Sequence, residues 1–285
     1  MPYVYVLVAA FYLLLFVIAP LGKGLALSFT NTNLITPNRN EWVGMLNYSR
    51  FLGSSGFWTT LGTTLIYAAL TVVISLALGM LAAVVVNRRF RGIGIIRAIL
   101  ISPWAVPSVA VYLVFRWMYN DSSGVLNRAT MALGMGQYGW LTDPQMGMFS
   151  VVLATVWKTT PFAMLIILAA LQSVPDELYE AADLDGADRL NVFKAVVLPH
   201  IMPTLLVVIL LTTIWALRRF EIIYLLTGGG PGEATKTLVV SIFQSAFMFS
   251  SLSDGATLGV LSLVPALLVT LVYFYIDRRA MRTGA

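Results

Sequence analysis

The sequence predicts an all-α polytopic membrane protein of six transmembrane helices, and three observations carry that prediction. Charged residues make up 11% of the chain and hydrophobic ones 59%, whereas a soluble domain is about a quarter charged. Six apolar stretches are long enough to cross a bilayer, which takes about 20 residues each. Basic residues gather at one set of helix ends, as orientation in a membrane requires. The net charge of +5 therefore belongs to membrane topology, and no nucleic-acid binding is expected. With no cysteine and one histidine, His200, the chain offers neither a disulfide framework nor a thiolate or His-based metal site. No catalytic residue, metal or cofactor of its own is expected.

The spans fall near 3–28, 60–86, 98–119, 147–172, 201–226 and 256–276, within a single membrane domain covering 1–285. The first has almost no basic leader and an apolar run long enough to span, so it reads as an anchor rather than a cleavable signal peptide. Arg88, Arg89, Arg91 and Arg97 crowd the short loop after the second span, and Arg278, Arg279 and Arg282 follow the sixth. The loops at 29–59, 120–146 and 227–255 are longer and richer in Asn, Gly, Thr and Ser, with Arg39, Arg50, Arg128 and Lys236 spread among them. The positive-inside rule then puts both termini, and the loop 173–200, in the cytosol. Pro107, Pro161, Pro203 and Pro265 lie inside the third to sixth spans, where each removes a backbone donor and favours a kink. Ser75 with Gly79, and Gly255 with Gly259, have the spacing that lets helices approach closely. No internal repeat or low-complexity stretch stands out.

The loop 173–200 has the wrong charge for its side of the membrane. It carries Asp176, Glu177, Glu180, Asp183, Asp185 and Asp188 against Arg189 and Lys194. An interfacial amphipathic helix would instead carry Lys and Arg on its polar face, so a basic protein partner is the better reading. Pro175 suits the first turn of a helix, and Asp176 and Glu177 suit its positive end. Ala181 and Ala182 keep one face shallow, and Gly186 permits a sharp turn. A second short helix is expected from about Asp188 to Val197, stopped by Leu198-Pro199.

Glu180-Ala181-Ala182, then Gly186, Val196 and Leu198-Pro199, resemble the EAA coupling loop of binding-protein-dependent ABC importer permeases. Phe220-Glu221-Ile222-Ile223-Tyr224 with Leu225-Leu226-Thr227-Gly228-Gly229-Gly230-Pro231 is similar to the carbohydrate (maltose/glycerol-phosphate) branch of that family, first-permease type. Gly44-Met45-Leu46-Asn47-Tyr48 and Trp140-Leu141-Thr142-Asp143-Pro144 are similar to it too. The resemblance covers nearly the whole chain. It implies an ABC type I importer-like permease bundle in a bacterial or archaeal cytoplasmic membrane, a transport subunit and not an enzyme. The implied partners are a second related permease, two nucleotide-binding ATPase subunits that bind the ATP, an external solute-binding protein, a sugar and the lipid bilayer. Glu180, Ala181, Ala182, Gly186, Leu198 and Pro199 would couple the chain to the ATPase. Closure of the ATPases on ATP would draw the coupling loops together and turn the cavity outward.

Ionisable residues inside a span are functional candidates by default. The fifth span has Arg218, Arg219 and Glu221 together, interleaved with Trp215, Phe220 and Tyr224. On a continuous helix, 215, 218 and 222 share one face and 217, 221 and 224 another, and Arg218 and Glu221 could pair. Aromatic rings stack on sugar rings while guanidinium and carboxylate bond hydroxyls, so Trp215, Arg218, Arg219, Glu221 and Tyr224 are candidate substrate contacts. A structural ion pair with snorkelling arginines is the alternative. The double arginine departs from the family pattern and opens the substrate to an anionic sugar. Trp157, with Lys158, Arg116 and Trp117, forms a weaker set. The run 230–237 imitates a phosphate-binding loop, but Thr235 stands where that loop needs Gly. A secondary transporter is the rival reading; it would need midplane coupling groups and often repeated halves, for which Glu221 alone is thin.

Overall fold

A computed structural model describes residues 2–36, 40–88 and 90–283, so Arg39 and Arg89 lie outside the described residues. It is helical, with no strand among the described residues beyond two isolated bridges, Thr30 with Trp42 and Asn33 with Ser251. The long apolar helices are α1 (Tyr5–Leu27), α3 (Ser55–Val86), α7 (Pro144–Gln172), α9 (Arg189–Leu217) and α12 (Leu252–Thr283). The third span is a broken pair, α4 (Ile93–Ala105) and α5 (Ser108–Met118), bent by 93°. Shorter helices fill the connections: α2 (Leu46–Leu52), α6 (Val125–Ala132), α8 (Asp176–Leu184), α10 (Glu221–Leu226) and α11 (Leu238–Met248).

Two expectations change. The fifth span is not one helix, because α9 ends at Leu217 and α10 begins at Glu221. Leu198-Pro199 does not stop the coupling segment either. The helix runs from Arg189 straight through to Leu217, widened at Phe193–Val197 into a π-turn closed by Leu198 N–H on the Phe193 carbonyl. A proline ring clashes with the carbonyl four residues back, and widening the preceding turn relieves that clash. The same solution occurs in α1, where a π-turn at Leu14–Ile18 precedes Pro20. Pro161, Pro203 and Pro265 sit inside unbroken helices; among the four prolines expected to kink spans, Pro107 stands at a break.

The chain divides into two compact units, residues 1–63 with 236–265, and 64–235 with 266–285. In the first, Asn47 and Tyr48 are structural ties. Asn47 Nδ2 donates to the carbonyls of Ser28 (2.9 Å) and Thr30 (2.8 Å), and the Tyr48 hydroxyl bonds Ser28 Oγ at 2.6 Å. Arg50 ion-pairs with Asp254, and Phe57, Leu238 and Leu258 form a small core. Gly255 lies against Ala246, whereas Gly259 has open space around it.

In the second unit α7 is the most enclosed span. Ser75 and Tyr67 of α3 hydrogen-bond Thr159 and Thr155 of α7, both at 3.0 Å, and Gly79 lies against Ala163. Below these polar contacts, Ala83, Val86, Met164, Ile167, Val197 and Ile201 share a core. Asp143 caps α7 by accepting from the Gln145 and Met146 N–H groups, with Pro144 beside it. Fully buried Asn127 gathers the preceding loop, bonding Asp121, Tyr138 and the Trp140 indole. Thr235, in the run that imitates a phosphate loop, is buried; it bonds Thr227 Oγ1 (2.6 Å) and the Gly230 carbonyl (2.7 Å), closing the turn on itself.

Candidate functional site

Two regions carry the candidate residues: the helical turn at 173–200 and the break at 218–220.

At the first, α8 starts one residue later than expected, with Pro175 as its N-cap and Asp176 and Glu177 in its first turn. Its end is closed by Gly186 at φ +69°. The Gly186 N–H donates to the Asp183 carbonyl (3.1 Å) and the Ala187 N–H to that of Ala182 (3.0 Å). That paired closure needs a left-handed residue, which is why glycine stands there. Asp188 then caps the next helix through the Asn191 N–H at 2.7 Å. Glu180 and Ala181 are exposed and Ala182 is buried, so the small face splits between solvent and the protein. Val196 and Leu198 are half-buried and Pro199 is exposed. Sequence reasoning passed over Leu184, 89% exposed, with Leu178 and Leu190 also exposed; the acidic residues around them drew the reading to charge alone. Burial raises the Tyr179 hydroxyl pKa, and the neighbouring Asp176 charge raises it further.

At the second, a cavity of about 400 Å³ is lined by Trp215, Arg218, Arg219, Phe220 and Glu221. The break, not a helical face, brings them together. Arg218 caps α9 and Glu221 opens α10, where a carboxylate suits the helix N-terminus. Arg218 and Glu221 are both exposed, with no hydrogen bond or ion pair joining them. Arg219 is half-buried, and its Nε is buried without a hydrogen-bond partner. Tyr224 does not line the cavity; its ring stacks on Phe220 at 4.9 Å. Trp157 is elsewhere, packed edge-on against Phe115 at 5.5 Å beside an apolar groove along α5. Two aromatics that sequence reasoning missed extend the wall: Phe162 lies 4.7 Å from Trp215, and Trp104 stacks on Phe162 at 6.4 Å. They come from other spans, so no local pattern could have joined them.

Residues 75–282, including both regions, match the family described as binding-protein-dependent transport system inner membrane component. The chain belongs to that family. This inner membrane component is 40% identical over 268 residues to the trehalose/maltose transport system permease protein MalF of Thermococcus litoralis, covering 93% of this chain and 89% of the relative. It is 35% identical over 270 residues to the sulfoquinovosyl glycerol transport system permease protein SmoG of Agrobacterium fabrum, covering 95% and 88%. Its fold is that of a bacterial ABC transporter involved in the import of the acidic polysaccharide alginate. That match has a TM-score of 0.85 at 23% identity and covers 97% of this chain and 94% of that one. The protein is thus the inner membrane permease component of a binding-protein-dependent transport system.

Proposed function

We propose that this permease forms half of the translocation pathway for a sugar or sugar derivative and transmits the work of a cytosolic ATPase through residues 173–200. The observation that carries the substrate side is the break after Leu217. It sets two guanidinium groups and a carboxylate around one cavity, walled by Trp215 and Phe220. Rings offer stacking surface to a pyranose, and the charged groups bond its hydroxyls. The unpartnered Arg219 Nε supports a ligand-binding role, since a buried donor left unsatisfied costs about 1–3 kcal/mol. Relatives named for trehalose/maltose and for a sulfoquinovosyl glycerol bracket the choice between a neutral and an anionic sugar; two arginines against one glutamate leave room for either.

On the coupling side, Glu180 lies exposed on an acidic helix closed by Gly186, and the helix that follows, from Arg189, runs through the π-turn into the fifth span. A basic groove on an ATPase would receive it. The chain binds no ATP itself. It works with a second permease, two ATPase subunits and an external binding protein, with both termini in the cytosol.

The test is sugar uptake by the reconstituted importer. Arg218→Gln, Glu221→Gln and Trp215→Ala should each lower uptake, and Arg218→Gln should lower that of acidic sugars most. Unchanged uptake of every sugar by all three variants places the site elsewhere.

A further inference from the structure

The 93° break in the third span leaves backbone carbonyls without helical donors. In an unbroken helix the Pro103 carbonyl would accept from residue 107, but that residue is a proline and has no N–H. Val106 is extended, at φ −70° and ψ 136°, so the Trp104 carbonyl also loses its partner one turn on. Lys158, from α7, supplies what is missing. Its Nζ donates to the carbonyls of Pro103 and Trp104, each at 3.1 Å, and to that of Val106. An ammonium has three N–H donors, and here they meet three carbonyls. The residue is 7% exposed, and its ammonium is turned onto these carbonyls.

A buried lone cation is costly unless fully compensated. Here the compensation is the negative end of a half-helix, the arrangement by which broken membrane helices hold cations. Lys158 is thus a cation site with its cation attached. It also touches the pocket's wall at one remove. Trp104, whose carbonyl it holds, stacks its ring on Phe162, which packs on Trp215 of the candidate cavity. Lys158 lies within electrostatic range of Arg219 and Glu221 as well.

We propose that Lys158 is a positioning residue for transport: its ammonium fixes the angle of the break and so holds Trp104 and Phe162 against Trp215. The transport half of this inference rests on the sugar-pocket reading above, and the geometric half does not.

Both halves are tested in the complete importer, reconstituted with its partner subunits. Spin labels at Ile99→Cys and Leu113→Cys, in a chain with no native cysteine, report the distance across the break. Uptake of trehalose and of sulfoquinovose reports transport. Lys158→Met should insert and hold the ATPase subunits, yet broaden the distance distribution and lower uptake by about tenfold or more. Lys158→Arg should keep a narrow distribution and most of the uptake. Lys158→Ala should be restored by propylammonium but not by tetramethylammonium, which has no N–H to donate. A wild-type distribution and uptake in Lys158→Met overturn the proposal, as does Lys158→Ala indifferent to propylammonium. If the uncharged variants fail to insert while Lys158→Arg inserts, the residue serves folding alone and the proposal also fails. If the wild type carries neither sugar, the sugar reading is what fails, and the label distances still decide the role of Lys158.

Discussion

Gly79 and Ala163 meet with no room for a side chain between them: a methyl group at Gly79 would lie 2.8 Å from the Ala163 Cβ and 3.0 Å from the Met164 nitrogen. This close approach brings Ser75 within hydrogen-bonding distance of Thr159, one turn away. Without water or a hydrophobic drive between helices in lipid, such contacts carry much of the association.

Gly79→Leu should therefore force α3 from α7, at a cost of about 1–3 kcal/mol for overpacking. Gly259→Leu is the control, because nothing lies within 4 Å of its added carbon. Thermal unfolding of the detergent-solubilised chain should show a lowered midpoint for the first variant and little change for the second.

Gly186 tests coupling through conformation rather than space. Nothing lies within 4 Å of a carbon added there, but its φ is +69°. A β-branched residue in that region costs about 1–2 kcal/mol, so Gly186→Val should unwind the closure of α8. Binding-protein-stimulated ATP hydrolysis should fall sharply with membrane insertion intact, while Gly186→Asn should retain most of it. Wild-type stimulation in Gly186→Val would sink the coupling assignment.

Charge at the same surface is tested by Glu180→Lys. Exposed Glu180 can lose its charge without disturbing a buried contact, so the substitution should weaken co-purification of the ATPase subunits and leave the chain's own stability unchanged. Equal recovery of those subunits would mean that Glu180 does not face a basic partner.

Orientation is checked with single cysteines. Asp185→Cys should resist an impermeant thiol reagent in intact cells, and a cysteine at exposed Trp42 should react. The reverse pattern inverts the topology.

Asn127 holds the loop before α7 through four hydrogen bonds. Asn127→Leu would strand buried polar groups at about 1–3 kcal/mol each. Limited proteolysis should then cut between residues 120 and 143 faster than in wild type.

The spans were legible because lipid imposes one rule on every residue of a crossing helix: about 20 apolar side chains, with charge at the ends. The acidic run of α8 and Gly186 at its turn were legible too, since helix ends are satisfied by residues next to them in the chain. The break at 218–220 was not, because Arg218, Arg219 and Glu221 fit a helical face as well as they fit an interruption. Nor was the helix running through Pro199, because a π-turn leaves no composition mark. What tertiary structure alone decided is how spans distant in sequence meet: Lys158 on the carbonyls of Pro103, Trp104 and Val106, and Trp104 and Phe162 on Trp215. Hydropathy reports how well a segment suits lipid, summed over its residues. Which donor finds which orphaned carbonyl depends on the packing of three helices at once, and no single segment encodes that.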